Sequence, residues 1–205
     1  MIAQPACSFE KRTRDEGVAA LSSLFLFFTE VSQMKYCILY ESVTGNTARL
    51  AQAVQQALPP QACEVFACTA DIGVSVPELA FIGFWTDRGT CPPTTQALLQ
   101  KLHGKKIVLF GTAGFGSGEY FTGILQRVKS LIPADNHVLG GFLCPGGMPD
   151  STRAKYLSML EENPEDERAK GLLAAFDRAQ GHPDKQDLEQ AKAFAREMYD
   201  QAVGT

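Results

Sequence analysis

Ile38-Leu39-Tyr40-Glu41-Ser42-Val43-Thr44-Gly45-Asn46-Thr47-Ala48-Arg49-Leu50-Ala51-Gln52-Ala53-Val54 is the stretch on which the fold turns. An apolar strand runs into a hydroxyl-rich turn, and the turn opens directly onto a helix. Leu50, Ala51, Val54 and Leu58 recur at helical spacing and form its buried face. Ser42, Thr44 and Thr47, with Gly45, converge where that helix offers unpaired backbone N–H groups and the positive end of its dipole. Such a place suits a phosphate dianion. No Lys follows Gly45, so the loop lacks the cation that an NTPase needs on its outer phosphates. Neutral donors in this number suit one terminal phosphomonoester. The same residues also read as a capped helix after a strand with no ligand.

Outward from this turn, strand-like runs recur at Tyr36–Tyr40, Glu64–Cys68, Ala80–Trp85, Lys106–Gly111 and Val138–Cys144. All but the second are nearly continuous in apolar or Gly residues, as parallel strands covered on both faces should be. Helical patterns alternate with them. Pro92 and Pro93 open one that carries Ala97, Leu98 and Leu102 and ends at Gly104. Phe121, Ile124, Leu125 and Val128 mark the next, which Pro133 stops, and Leu188, Ala191, Ala195 and Met198 mark the last, with Asp184 as its cap. The connection Thr69–Glu78 is too short for a substantial helix and reads mostly as loop. Alternating strands and helices predict an α/β fold with a parallel sheet and right-handed crossovers.

The loop from Tyr40 through Gly45 and Thr47 to Ala51 and Val54 resembles the phosphate-loop signature of flavodoxins, which hold FMN. The resemblance covers roughly Met34 to Met198. It implies a doubly wound five-stranded sheet in the order 2-1-3-4-5, with the ligand at the switch point beyond the carboxyl ends of the strands. It also implies that the loops after the third and fourth strands clamp the flavin ring. The first of these, Trp85-Thr86-Asp87-Arg88-Gly89-Thr90, holds the only Trp of the chain, whose indole offers a broad apolar face to a planar ring. A Trp buried at a strand end is the plainer reading. Trp-x-Asp-Arg-Gly is unlike the common flavodoxin loop. With the later Gly181-His182-Pro183-Asp184 and Asp187-Leu188, it is similar to a flavodoxin-like subfamily of anaerobic bacteria, some members of which accompany bilirubin reductases.

The second clamp is Thr112-Ala113-Gly114-Phe115-Gly116-Ser117-Gly118. Taken alone it passes for a loose dinucleotide fingerprint, but that motif needs an acidic residue at the end of the next strand, and Val138–Cys144 has none. The glycines instead let backbone amides approach the flavin edge. Phe115 is the candidate for stacking on the second ring face, with Tyr120 as the alternative. The expected cofactor site is therefore Ser42, Val43, Thr44, Gly45, Asn46 and Thr47 for the phosphate. For the ring it is Trp85, Thr86, Asp87, Arg88 and Gly89 with Thr112, Ala113, Gly114, Phe115 and Gly116. No Ser-His-Asp set, carboxylate pair or metal cluster stands out, so no catalytic residue or metal ligand is expected and any chemistry belongs to the flavin. His182 reads as structural.

An insertion, residues 145–183, separates the fifth strand from the last helix. It reads as two helices, one over Ser151–Leu160 and one that Asn163 caps, with Pro164 in its first turn, running to about Gln180. Because it leaves a carboxyl-terminal strand end, it either covers the flavin or a partner site, or is a decorative hairpin.

The 205 residues fit one domain, 34–205, with residues 1–33 expected to be a non-core N-terminal extension, one version of which is a mis-called start before Met34. Within the extension, Leu21–Phe28 is apolar but far short of the ~20 residues that span a bilayer, so no membrane span is expected. A net charge of −4 is mild, residues 35–150 are neutral, and no basic stripe with aromatics suggests nucleic acid. Six Cys form no C-x-x-C pair, and Cys37 and Cys144 fall in strands as small core residues; a reducing cytoplasm is the expected setting. The resulting expectation is a cytoplasmic, monomeric or homodimeric FMN protein that supplies electrons to a redox partner. The alternatives are an FMN-dependent reductase of a small acceptor, such as a quinone or tetrapyrrole pigment, and a non-redox interaction module. The neutral core favours the enzyme slightly, since shuttle flavodoxins tend to be acidic for docking on basic partners.

Overall fold

In the computed structural model, residues 33–69 and 75–204 are described. The expectations for residues 1–32, and half of the Thr69–Glu78 connection (residues 70–74), lie outside the described residues.

Five strands, β1 (Tyr36–Tyr40), β2 (Cys63–Cys68), β3 (Leu79–Trp85), β4 (Lys106–Ala113) and β5 (His137–Pro145), form one sheet in the order β2-β1-β3-β4-β5. Every pairing is parallel, as expected from the unbroken apolar runs. The register aligns Tyr40 with Gly83, Trp85 with Thr112 and Thr112 with Cys144, so the loops leaving β1, β3, β4 and β5 emerge side by side. Period-two alternation sorts the strand residues onto two cores. Tyr36, Ile38, Phe81, Val108 and Phe110 face α1 (Asn46–Ala57) and the last helix, α6 (Lys185–Gly204). Cys37, Leu39, Ile82, Phe84, Ile107 and Leu109 face the opposite way, packing with residues of α2 (Pro93–Leu99) and α3 (Glu119–Lys129). Helices thus cover both faces, and the strand order reverses beside β1.

Cys37 and Cys144 lie in these cores, and burial pushes the Cys37 thiol up to about 12 and that of Cys144 higher. The five Cys among the described residues are all free. Neither buried thiol is a nucleophile at neutral pH.

Two local expectations need correction. The second helix ends at Leu99 rather than running on to Leu102; turn bonds from Lys101 N to Leu98 O and from Leu102 N to Leu99 O carry the chain to Gly104, whose φ of 62° completes the reversal. His103, in this turn, lies 3.0 Å from Asp135. In the insertion, α4 (Asp150–Glu162) and α5 (Glu167–Ala179) are both present, but Asn163 does not cap α5. Its Oδ1 accepts from Glu165 N at 3.2 Å, making a local turn that delays the helix. Asp166 is the cap, accepting from Arg168 N at 2.9 Å and Ala169 N at 3.1 Å. Asp184 does cap α6. Its Oδ1 accepts from Asp187 N at 2.9 Å while Asp187 Oδ2 accepts from Asp184 N at 2.8 Å, a reciprocal box that holds the Asp184 carboxyl below the usual carboxylate range.

Candidate functional site

The turn after β1 supplies the first wall. Gly45 sits at φ 84°, a left-handed conformation that opens α1 with no side-chain cap. The first bond of the helix runs from Arg49 N to Gly45 O at 3.0 Å, so the N–H groups of Asn46, Thr47 and Ala48 have no acceptor within the helix. Thr47 is 1% exposed, and its Oγ1 lies 3.0 Å from Oγ1 of Thr112 at the end of β4. Asn46 Nδ2 braces the loop from within, donating to Thr44 Oγ1 at 2.9 Å, and from outside, donating to Gly147 O at 2.7 Å. Ser42 Oγ is buried with no partner, and Val43 is exposed at the rim.

The loop after β3 supplies the second wall. Asp87 N donates to Thr90 O at 2.8 Å and Thr90 N to Asp87 O at 2.9 Å, closing a two-residue turn. Arg88 (φ 48°) and Gly89 (φ 81°) occupy its tip, which is type I′ geometry, and Arg127 Nε clamps Gly89 O at 2.7 Å. Among the described residues Arg88 alone takes a positive φ without being Gly. Asn tolerates that conformation better than Arg does. Arg88→Asn is therefore expected to stabilise the protein by about 0.5–1 kcal/mol in a urea melt. A stability loss would mean that the Arg88 side chain contributes more to the fold than its backbone strain removes. Trp85 Nε1 and Thr86 Oγ1, at the base of this loop, are buried without partners.

The loop after β4 is the third wall. Thr112 and Ala113 end the strand, and Ala113 O accepts from Gly146 N at 2.9 Å. Gly114 lies directly under Met148, where a Cβ would come within 2.6 Å of Met148 Cγ. Phe115 and Tyr120 are not alternatives but a pair, with centroids 5.4 Å apart; Phe115 faces the cleft and Tyr120 packs behind it against Gly116.

These walls enclose a cleft of about 530 Å³. Of the residues expected from sequence, Val43, Thr44 and Asn46 line it from the first loop and Trp85, Thr86, Asp87 and Arg88 from the second. Thr112, Gly114 and Phe115 line it from the third. Ser42, Gly45, Thr47, Gly89, Ala113 and Gly116 shape the loops without lining the space. The lining missed in sequence comes from the insertion: Gly146, Gly147, Met148, Thr152, Lys155 and Tyr156. The sequence left open whether the insertion covers the flavin and singled out none of these residues. A smaller cavity of about 350 Å³ adjoins it across Thr44 and Asn46, bordered by Arg49 and His182. His182, Asp184 and Asp187 stand close enough to suggest a cation site. Asp187 Oδ2 already receives both Asp184 N and His182 Nδ1, so the trio is accounted for by the α6 cap.

The arrangement suits an elongated ligand with a phosphate at one end and a polar-edged planar ring at the other. Free helical N–H groups and hydroxyls serve the phosphate. Two aromatic faces border the wider part, and the orphaned Ser42, Trp85 and Thr86 donors await acceptors. A flavin mononucleotide has this chemistry.

Residues 37–196 match the Flavodoxin domain family, and the chain belongs to it. Two flavodoxin-like domain-containing proteins named BilS resemble it over most of their length. That of Clostridioides difficile (strain CD3) is 34% identical over 169 residues, covering 80% of this chain and 96% of the relative. That of Clostridium symbiosum (strain WAL-14163) is 34% identical over 180 residues, covering 78% and 94%. Among solved structures, a flavodoxin from the domain Archaea covers 84% of this chain and 100% of its own, at 16% identity and a TM-score of 0.48.

Proposed function

We propose that residues 34–205 bind FMN and pass electrons to a separate reductase. The observation that carries this reading is the single cleft that joins a phosphate-type helix start to two aromatic-bearing loops, with buried donors left unpaired. The relatives named BilS support the electron-transfer role, and the subfamily likeness makes a bilirubin-reductase-type enzyme the first partner to try.

Each part of the chain has a distinct task. The N–H groups of Asn46, Thr47 and Ala48 and the hydroxyls of Ser42, Thr44 and Thr47 would hold the phosphate. Trp85 and Phe115 would flank the ring, and the backbone around Gly114 would meet its polar edge. Bound FMN supplies the capacity to accept electrons one or two at a time. No residue is called on as acid, base or nucleophile. Among the described residues no helix is long and apolar enough to cross a membrane.

The purified protein is expected to be yellow, or to become so with micromolar FMN, and, once reduced with dithionite, to be reoxidised by the partner enzyme. A protein that stays colourless ends this reading. A second reading, direct reduction of a small acceptor, is favoured by the insertion, which narrows access to the cleft. Turnover of a quinone or tetrapyrrole without any partner protein would support it.

Arg88 bears on the potential. Its side chain is 94% exposed and lies 4.0 Å from Asp87, yet it lines the cleft. A cation beside the ring favours the charge gained on reduction, but exposure and Asp87 screen it. Arg88→Ala is expected to lower the potential at which bound FMN takes its last electron by roughly tens of millivolts, where ~59 mV is a tenfold change for one electron. The shift should shrink at high salt. A potential unmoved in redox titration would show that Arg88 does not meet the flavin.

A further inference from the structure

One face of the insertion is left uncovered by the described residues. Thr152, Lys155 and Tyr156 follow helical spacing along α4, and all three line the cleft. No residue of this 13-residue helix is buried. Its other side leans on α5, where Arg153 approaches Asp177 at 3.8 Å. A helix held on one flank, with a half-buried Tyr on the other, packs against whatever fills the cleft.

The start of the insertion is also held in place. Gly146 N donates to Ala113 O at 2.9 Å and Gly147 N to His182 O at 2.9 Å, which ties it to β4 and to the chain before α6. Gln180 Nε2 donates to Met148 O at 3.2 Å, and Gly147 O accepts from Asn46 of the phosphate loop at 2.7 Å. The chain that leads into α4 is therefore fastened to the walls of the cleft itself. Charge points the same way. Among the described residues that line the cleft, Arg88 and Lys155 are the cations and Asp87 is the sole carboxylate. The ligand that matches this lining is an anion with a flat ring.

Resting on the flavin reading above, we propose that α4 is the outer wall of the FMN site, with Tyr156 shielding an edge of the ring that Trp85 and Phe115 leave open and Lys155 contacting the bound flavin as a second cation beside Arg88. The insertion is then part of the cofactor site rather than surface decoration. Lys155 acts on affinity and potential, and Tyr156 on affinity and solvent access.

Hydrogen exchange on the full chain, with and without saturating FMN, tests the wall directly. Amides of residues 150–160 are expected to slow several-fold when FMN is added, together with those of residues 42–48. Lys155→Met is expected to weaken FMN binding about three- to tenfold in a fluorescence titration, less than a buried charge contact would. It should also lower the potential of the bound flavin, and Lys155→Arg should restore both. Restoration by Arg separates a charge contact from a packing role. Exposure of Lys155 makes misfolding an unlikely confounder, and the exchange arm needs no variant. Protection of residues 42–48 without protection of α4, with Lys155→Met unchanged in affinity and potential, overturns the proposal while leaving the flavin reading intact. FMN that protects neither segment, and does not bind, overturns both.

Discussion

Gly111→Ala is expected to remove about 3 kcal/mol or more of stability, a large fraction of what an ordinary domain has. Gly111 lies in β4 and pairs with Phe84 of β3 and Leu143 of β5. A Cβ there would stand 2.3 Å from the carbonyl oxygen of Phe84 and 3.0 Å from Leu143 Cδ2. A leucine methyl can rotate aside; a backbone carbonyl in the neighbouring strand cannot. Relief requires β3 and β4 to separate at the point where Trp85 and Thr112 must stay in register for the two clamp loops to face each other. Gly83 makes a useful comparison. A Cβ at that position would meet the Phe110 ring at 2.4 Å and Tyr40 Cβ at 2.8 Å, contacts that side-chain movement relieves only in part. Urea melts should therefore show Gly111→Ala to be at least as damaging as Gly83→Ala. A loss below about 1 kcal/mol at Gly111 would mean that the central strands yield more than a packed sheet should.

What could be read in the sequence follows from the range of the interactions involved. The β1–Gly45–α1 turn is a local pattern, decided by a few adjacent residues, and it was legible. Strands β1, β3 and β4 were legible because burial on both faces leaves no room for polar alternation, whereas β5, at the other edge, is mostly half-buried and was legible from its apolar and Gly run alone. The edge strand β2 alternates less cleanly and is only half buried, in keeping with its weaker signal. The cap of α5 was misplaced because two acceptable cap residues lie within one turn of each other, and the end of α2 because Gly104 closes the turns that follow the helix and not the helix itself. Asn163 and Asp166 compete for the same role, and Asn163 is captured by its own local turn.

The contacts that complete the site are of another kind. Asn46 and Gly147 are 101 residues apart, and Thr47 and Thr112 are 65 apart. Nothing in either local stretch announces its partner. The cleft face of α4 was equally hidden: Thr152, Lys155 and Tyr156 look like an ordinary exposed helix until the register of β4 and β5 brings Gly146 against Thr112. Three of the four walls could thus be assigned from strand ends. The fourth required the return path of the chain.

Thr47→Val is expected to weaken FMN binding roughly ten- to a hundredfold, the loss that follows from removing a hydrogen bond to a charged group. The reasoning rests on counting hydrogens. The Thr47 and Thr112 hydroxyls lie 3.0 Å apart and are both nearly inaccessible. Between them they carry two hydroxyl hydrogens, and their mutual bond uses one. The other needs an acceptor, and a phosphate oxygen beside the open N–H groups of α1 is well placed to provide it. Valine keeps the shape and the β-branching of Thr47 but takes away one hydroxyl, so the remaining Thr112 hydroxyl must choose between the ligand and its own desolvation. Because Leu50, Ala51 and Val54 anchor α1 in the core, the helix should persist, with near-unchanged circular dichroism. Thr47→Ser, which retains the hydroxyl, should stay within a few-fold of the parent. Thr112→Val should resemble Thr47→Val, and the double variant should lose less than the sum of the two, since both act through one shared bond. Additive losses would show that the two hydroxyls serve the phosphate independently. An unchanged dissociation constant for Thr47→Val would show that the pair merely fastens α1 to β4.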